Sequence, residues 1–553
     1  MSIKVTPYIL ILTLLLSSLT VLGQQDQYRY LVLFKDKANS PYSINKPNSF
    51  LSSKSVERRT KLNIALTEQD LPVNPAYLDQ IRTTGATVLF PLKWINGAII
   101  QQKPKDLAKT LKSPSVKGLY WNFPADSSAK LKITSSVLST QAVQSVNASD
   151  ASIDYGNSLT QISQIGVDIM HAKGFHGENV LISLLDNGYL NANIATFLQK
   201  IYSENRLVGT LTTSPGLSSV YQGGSHGTEV LSAIAGQYPG KLYGTAYQAK
   251  IAIAQTEEED TELIVEEANW LRAAEWADSL GTDIISSSLG YSEFDNTKQN
   301  HTYADMNGKN TLVSNAAHWA AHRGIICVIS AGNEGSGTWK YITAPADADS
   351  ILAVGAVDRT GLRGSFSSQG PTFDKRIKPD ISAMGLGTIV GLPSGLISSL
   401  NGTSFSAPLV AGLAAGLIQS NPTKNNFQVI DAIRRSGNQQ DKPDNFLGWG
   451  IPNFDRAFNL LNTVLGTEES KEPLVEIFPN PLRTGEKLTI HIEYSLPISM
   501  EICNSQGAVM MKHIVNSAQE EVYLPPLASG KYFVRFTLGG IQKVIPLLYN
   551  LGE

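Results

Sequence analysis

Val180-Leu181-Ile182-Ser183-Leu184-Leu185-Asp186-Asn187-Gly188 is a short apolar run that ends in a carboxylate and a turn. The run does not alternate with polar residues, so it reads as a strand buried on both faces, as in a parallel sheet. Runs of the same kind follow at 249–254, 283–287, 325–330 and 351–357, with helical patterns at 262–280 and 312–323 between them. Strands alternating with helices predict an α/β domain, a parallel sheet with helices on both faces, whose sites lie at the carboxyl ends of the strands. A carboxylate at such a strand end is costly without a partner, so Asp186 calls for one.

Two motifs supply candidates. His226-Gly227-Thr228 follows the glycine-rich Gly223-Gly224-Ser225 and opens a helix with Val230, Leu231 and Ile234 on one face. Gly402-Thr403-Ser404-Phe405-Ser406-Ala407-Pro408 sets a serine at the mouth of the apolar run 409–418. Free backbone N–H groups and the helix dipole stabilise negative charge at such a place. Singly, Ser404 reads equally well as an N-cap, and Asn333, in Ala331-Gly332-Asn333-Glu334-Gly335, as a turn residue. Together, Asp186, His226 and Ser404 offer a hydroxyl nucleophile, the imidazole that takes its proton and the carboxylate that orients the imidazole. Asn333, at a strand end, offers a donor to the oxyanion of a tetrahedral intermediate, beside the Ser404 N–H. The order Asp, His, Ser excludes the α/β-hydrolase arrangement, which runs Ser, Asp, His.

With these motifs residues 155–460 resemble the subtilisin-like serine peptidases. The resemblance implies that Asp186 orients, His226 is general base and then acid, Ser404 is the nucleophile and Asn333 completes the oxyanion hole. It also implies that Ser288-Leu289-Gly290 is the strand that pairs with an extended peptide substrate. Asn187 stands where that family usually has Ser or Thr, Glu229 where His is common and Met384 where Pro is common; none removes a group the chemistry needs. The function expected is a secreted serine endopeptidase acting through an acyl-enzyme and made as a zymogen. The competing expectation is a catalytically silent protein of the same fold used for binding or adhesion, and such descendants lose triad residues.

A chain of 553 residues is too long for one core. Lys4 and an apolar run at 8–22, with small residues near Gly23, predict a cleavable signal at 1–23, and the run is short for a membrane span, so no stable span is expected in the mature chain. Residues 24–124 read as a small α+β domain, with a polar stretch around Arg58-Arg59, and resemble the family's inhibitory propeptide. Residues 125–154 have linker composition, the peptidase domain is placed at 155–464, a second linker at 465–474, and an all-β sandwich at 475–553. Phe478-Pro479-Asn480-Pro481 and Leu527-Ala528-Ser529-Gly530-Lys531-Tyr532-Phe533-Val534 resemble the sorting domain of type IX secretion, which implies export through the periplasm to the medium or cell surface. Expected partners are protein or peptide substrates, the chain's own propeptide and the type IX machinery. A net charge of −3 gives no basis for nucleic-acid binding. Cys327 and Cys503 fall in different domains, which excludes a disulfide scaffold. His318 and His322 are spaced as on one helix face but lack further ligands, so no metal site is expected there. Glu257-Glu258-Glu259-Asp260 reads either as a calcium loop or as acids favoured before a helix; no cofactor is required, and calcium is the one the sequence leaves open.

Overall fold

The computed structural model describes residues 28–122, 153–214, 216–259, 261–462, 474–493, 497–538 and 541–550. The expected signal 1–23 and nearly all of the linkers 125–154 and 465–474 lie outside them. The chain divides into two compact units, Met1–Asn462 and Thr463–Glu553.

The first unit opens with an antiparallel sheet of β1 (Tyr28–Phe34), β2 (Thr87–Leu92), β3 (Gly97–Gln102) and β4 (Val116–Asn122), in the order β2-β3-β1-β4. Alternate residues of β1 and β3 serve two cores. Tyr30, Val32, Phe34, Ala98 and Ile100 pack with Ile81 of helix α2 (Pro75–Thr83). Leu31 and Ile99 point the other way, with Leu92 and Trp94, into a core of the larger domain. The stretch around Arg58-Arg59, expected only to be polar, is a helix, α1 (Ser53–Lys61), started by Ser52, whose hydroxyl accepts from the Ser55 N–H at 3.1 Å.

The larger domain is built on β5 (Leu181–Asp186), β6 (Leu207–Thr212), β7 (Lys250–Gln255), β8 (Ile284–Ser287), β9 (Ile326–Ser330), β10 (Leu352–Val357) and β11 (Ile381–Met384), in the order β11-β10-β9-β8-β5-β7-β6. All six pairings are parallel. Successive residues face opposite sides, as the uninterrupted apolar runs require. Ile182, Leu184, Ile284, Ile326 and Val328 meet α3 (His226–Ala235) and α6 (Thr403–Ser420) on one face. Leu185, Ile285, Cys327 and Ile329 meet α4 (Val265–Leu280) and α5 (Leu312–Ala321) on the other. Each of these Val, Leu and Ile side chains contributes about 1.5–3 kcal/mol when fully buried. This is the expected subtilisin-like sheet; β6, whose residues alternate between partly buried and exposed, was not among the strands read from the sequence.

The second unit contains β12 (Leu474–Phe478), β13 (Leu482–Arg483), β14 (Lys487–Glu493), β15 (Ile498–Cys503), β16 (Val509–Val515), β17 (Gln519–Tyr523), β18 (Gly530–Leu538) and β19 (Ile541–Asn550). They form sheets ordered β12-β14-β17 and β13-β19-β18-β15-β16. Leu488, Ile490 and Ile492 from the first and Met500, Ile502, Val534 and Phe536 from the second share one core.

Candidate active site

Asp186 is the last residue of β5, at the carboxyl edge where parallel strands open their clefts. It is 1% exposed, and its Oδ1 lies 2.7 Å from His226 Nδ1 while also accepting the Asn187 N–H at 2.9 Å. His226 is the first residue of α3. Burial alone would lower the imidazole's pKa, but the charge of Asp186, its hydrogen bond and the charge of Glu229 outweigh burial and hold it above the ordinary value. With Nδ1–H donating to Asp186, Nε2 keeps its lone pair.

Ser404 is the second residue of α6 and is 8% exposed. Pro408, four residues on, has no N–H for the Ser404 carbonyl, which instead accepts from Ser288 Oγ at 2.8 Å. A proline inside the helix thus frees the bond that ties the serine's backbone to the end of β8. The Ser404 hydroxyl rests 3.5 Å from the Ser288 carbonyl, and among the described residues no hydrogen bond joins it to His226. The Phe405 ring stands 5.7 Å from the imidazole.

Asn333 follows β9 in an exposed turn. Its Oδ1 accepts from the Thr403 N–H at 2.9 Å and the Thr403 hydroxyl at 3.0 Å, and Thr403 Oγ1 accepts from the Gly332 N–H at 3.2 Å. The amide oxygen is committed, which leaves the NH₂ as the uncommitted end. Among the described residues the Ser404 N–H has no protein acceptor, and Leu289 and Gly290 make no backbone hydrogen bond to the rest of the chain. The sequence reading missed two contributors. Thr403 orients Asn333 from within the serine motif, and Pro408 was legible as a helix-interior proline at the spacing that releases the Ser404 carbonyl.

In the acidic run, Glu257 and Glu258 have protein partners. Glu257 accepts from Tyr291 at 2.7 Å and Thr256 at 2.8 Å, and Glu258 makes a two-pronged pair with Arg29 of β1. Glu266, in the first turn of α4, accepts from the Glu258 and Leu263 N–H groups at 2.7 and 3.0 Å. Oxygens of Glu257, Glu262 and Glu266 lie within 4.8 Å of one another. Burial first, then the charge of nearby carboxylates, Glu262 for both, pushes the carboxyls of Glu257 and Glu266 upward. These are oxygen donors of the type a hard cation takes, but two of the three already serve as acceptors within the fold.

Subtilisin of Bacillus pumilus is 31% identical over 287 residues, which is 51% of this chain and 90% of that one. The chain belongs to the subtilase family. The subtilase model itself matches residues 177–450. Subtilisin E of Bacillus subtilis strain 168 is 28% identical over 64% of this subtilase and 79% of its own length. Among solved structures, the prenylagaramide maturation protease PagA is 25% identical over 54% of this chain and 98% of that chain, with a TM-score of 0.43. Residues 29–137 match the peptidase S8 propeptide domain of Bacteroidota, and residues 476–547 match a secretion system C-terminal sorting domain. This subtilase is therefore a serine-type peptidase with its own propeptide, exported to the medium or the cell surface.

Proposed function

We propose that this subtilase is an endopeptidase using Asp186, His226 and Ser404 as its triad, with the domain limits read from the sequence, 24–124, 155–464 and 475–553. The observation that carries this reading is the 2.7 Å contact of Asp186 with His226 beside a serine held at the start of α6. Ser404 Oγ turns from its rest position near Ser288, attacks the scissile carbonyl carbon and passes its proton to His226 Nε2. The imidazolium so formed is stabilised by Asp186. The carbonyl oxygen, now an anion, accepts from Asn333 Nδ2 and the Ser404 N–H. Collapse breaks the C–N bond, the imidazolium gives its proton to the leaving amine, and water, deprotonated by the same imidazole, hydrolyses the acyl-enzyme. The uncommitted backbone of Leu289 and Gly290 pairs with the substrate as an added strand, with Ser288 held against Ser404.

Ser404→Ala should lower casein and peptide hydrolysis by on the order of 10⁶, a magnitude taken from subtilisin, a relative of this chain. Asn333→Ala should keep the fold and lower turnover by about 10²–10³, again a subtilisin value. Casein hydrolysis by Ser404→Ala at the wild-type rate would sink the assignment of Ser404, and no hydrolysis by the processed wild type would favour the silent binding protein.

A further inference from the structure

The helix α3 carries two titratable side chains, both in its first turn. One is His226, the base of the proposed triad, and the other is Glu229, which lies three residues on and so on the same side of the helix. Glu229 is half-buried, and among the described residues its carboxylate has no hydrogen bond or ion pair to a protein group. A carboxylate drawn part-way out of water is costly without a cation, and the surroundings supply none. Residues 213–225, which lead into α3, and 187–198, 388–400 and 403–420, which pack against it, contain no charged side chain. The strand β5 brings Asp186, a second anion. Lys241, in the hairpin that follows the far end of the helix, is held against the Tyr238 ring at 4.4 Å and donates to its hydroxyl at 3.1 Å.

The positive charge that Glu229 can meet is therefore the one that appears on His226. Burial raises the Glu229 carboxyl, the charge of His226 lowers it, and the charge of Asp186 raises it. Asp186 offers the imidazole a single oxygen, Oδ1, and shares that atom with the Asn187 N–H, while its Oδ2 is buried without a hydrogen-bond partner. The imidazolium thus has one carboxylate on its Nδ1 and another one helical turn away.

We propose that Glu229 is a second carboxylate for His226, a positioning residue that acts through the imidazole and favours the imidazolium formed when Ser404 gives up its proton. The proposal rests on the catalytic reading given above. An acid in a first turn also suits the helix dipole, but that role alone stabilises the helix and leaves the pH profile of hydrolysis where it was. The acid limb of kcat/KM reports the base of the free enzyme, which must be neutral to take the serine's proton. Removing a neighbouring anion makes the imidazolium easier to deprotonate, so the limb moves to lower pH.

The test uses the secreted, processed enzyme, a fluorophosphonate that labels its reactive serine and so counts active sites, and a blocked fluorogenic peptide with no ionisable group. In low salt, Glu229→Gln, which keeps the shape and removes the charge, should move the acid limb down by about 0.2–0.4 pH unit, the size that a charged pair one helical turn apart supports. Glu229→Lys should move it further in the same direction. At 1 M salt, where charges are screened beyond about 3 Å, the wild-type limb should approach that of Glu229→Gln. Rates per labelled site keep any loss of folded protein out of the profile. Coincident limbs for wild type and Glu229→Gln in low salt, or an upward shift in Glu229→Lys, overturn the proposal while leaving the triad intact. If neither variant folds, the wild-type limb decides, and one that salt leaves unmoved overturns the proposal. Wild type that takes no label and cleaves no peptide overturns the catalytic reading and this inference with it.

Discussion

The two small β units that flank the peptidase differ in what their sheets face and where their charges lie. The propeptide sheet is covered on both sides, by its own core and by that of α4 and α5, where Leu31, Leu92, Trp94 and Ile99 are buried. The C-terminal unit closes its two sheets on a core of its own. Arg58 and Arg59 of α1, together with Lys93, converge on Asp278 of α4, whose side chain is 0% exposed. Arg59 also reaches Asp70, which Arg323 of the peptidase holds from the other side at 2.9 Å. The C-terminal pairs are superficial, as with Lys487 and Glu521 at 44% and 54% exposure. Surface pairs contribute about 0–1 kcal/mol, whereas a buried pair gains little net yet costs about 3–5 kcal/mol when one partner is removed. A module joined through such pairs is specific and still releasable, since water recovers the charges on separation.

The largest effect should come from removing the anion. Asp278→Ala leaves Arg58, Arg59 and Lys93 facing the space of the lost carboxylate. At about 3–5 kcal/mol, propeptide affinity should fall by at least 10²–10³, read as the inhibition constant of the cleaved propeptide and its retention on gel filtration. Unchanged inhibition would mean that the apolar contacts alone hold the complex.

A smaller loss should follow from Glu275→Gln. Glu275 Oε2 accepts the Lys93 N–H and Oε1 the Trp94 N–H, each at 2.8 Å, and an amide has only one oxygen. One buried N–H then loses its partner at about 1–3 kcal/mol, roughly a tenfold weaker inhibition. Val534→Ala, in the C-terminal core, should leave inhibition unchanged. If it weakened the complex as much as Glu275→Gln, the contrast between the two β units would be wrong.

Acid should act on the same interface. Burial would raise the carboxyls of Asp278 and Asp70, but Lys93, Arg59 and Arg58 at the first and Arg323 and Arg59 at the second hold them below the ordinary 3.8. Groups depressed in the complex favour association above their free pKa, and that contribution is lost as pH falls below about 4. Glu275, raised chiefly by burial, acts in the opposite sense, favouring association below its ordinary 4.5 and losing that contribution as pH rises. Two depressed carboxyls against one raised one predict retention of cleaved propeptide that weakens progressively as pH falls below about 4, monitored by its separation from the enzyme. Tighter retention at pH 3 than at pH 6 would reverse the assigned balance.

What the sequence disclosed follows from how local each signal is. The five buried strands of the peptidase were legible because an unbroken apolar run states its own burial, and each begins one residue later than read, where the run starts to pair. Asp186, His226 and Ser404 were legible because each stands at an element boundary where a polar residue is conspicuous. Arg58 and Arg59 were not, since two arginines in a polar stretch look solvated, and the aspartate that makes their burial tolerable is some 220 residues away. β6 was missed because it is an edge strand whose alternating exposure dilutes its pattern.

The smallest effect expected on catalysis comes from the C-terminal unit. Among the described residues its core side chains come from its own two sheets and the turns between them, so the fold it completes is its own. The peptidase residues proposed to act all lie before Asn462, and each is positioned by elements of the first unit, Asp186 by β5, His226 by α3, Asn333 by Thr403 and Ser404 by α6 and Ser288. Ending the chain after Asn462 should therefore leave kcat/KM of the processed enzyme within about twofold. The sorting domain that residues 476–547 match is an address, so the same truncation should hold the protein in the periplasm of its native host. Fractionation and peptide hydrolysis on one set of samples separate the two roles. A truncated enzyme that reaches the medium would deny the unit its sorting role, and a purified truncated enzyme slowed tenfold or more would show that the peptidase depends on the C-terminal unit.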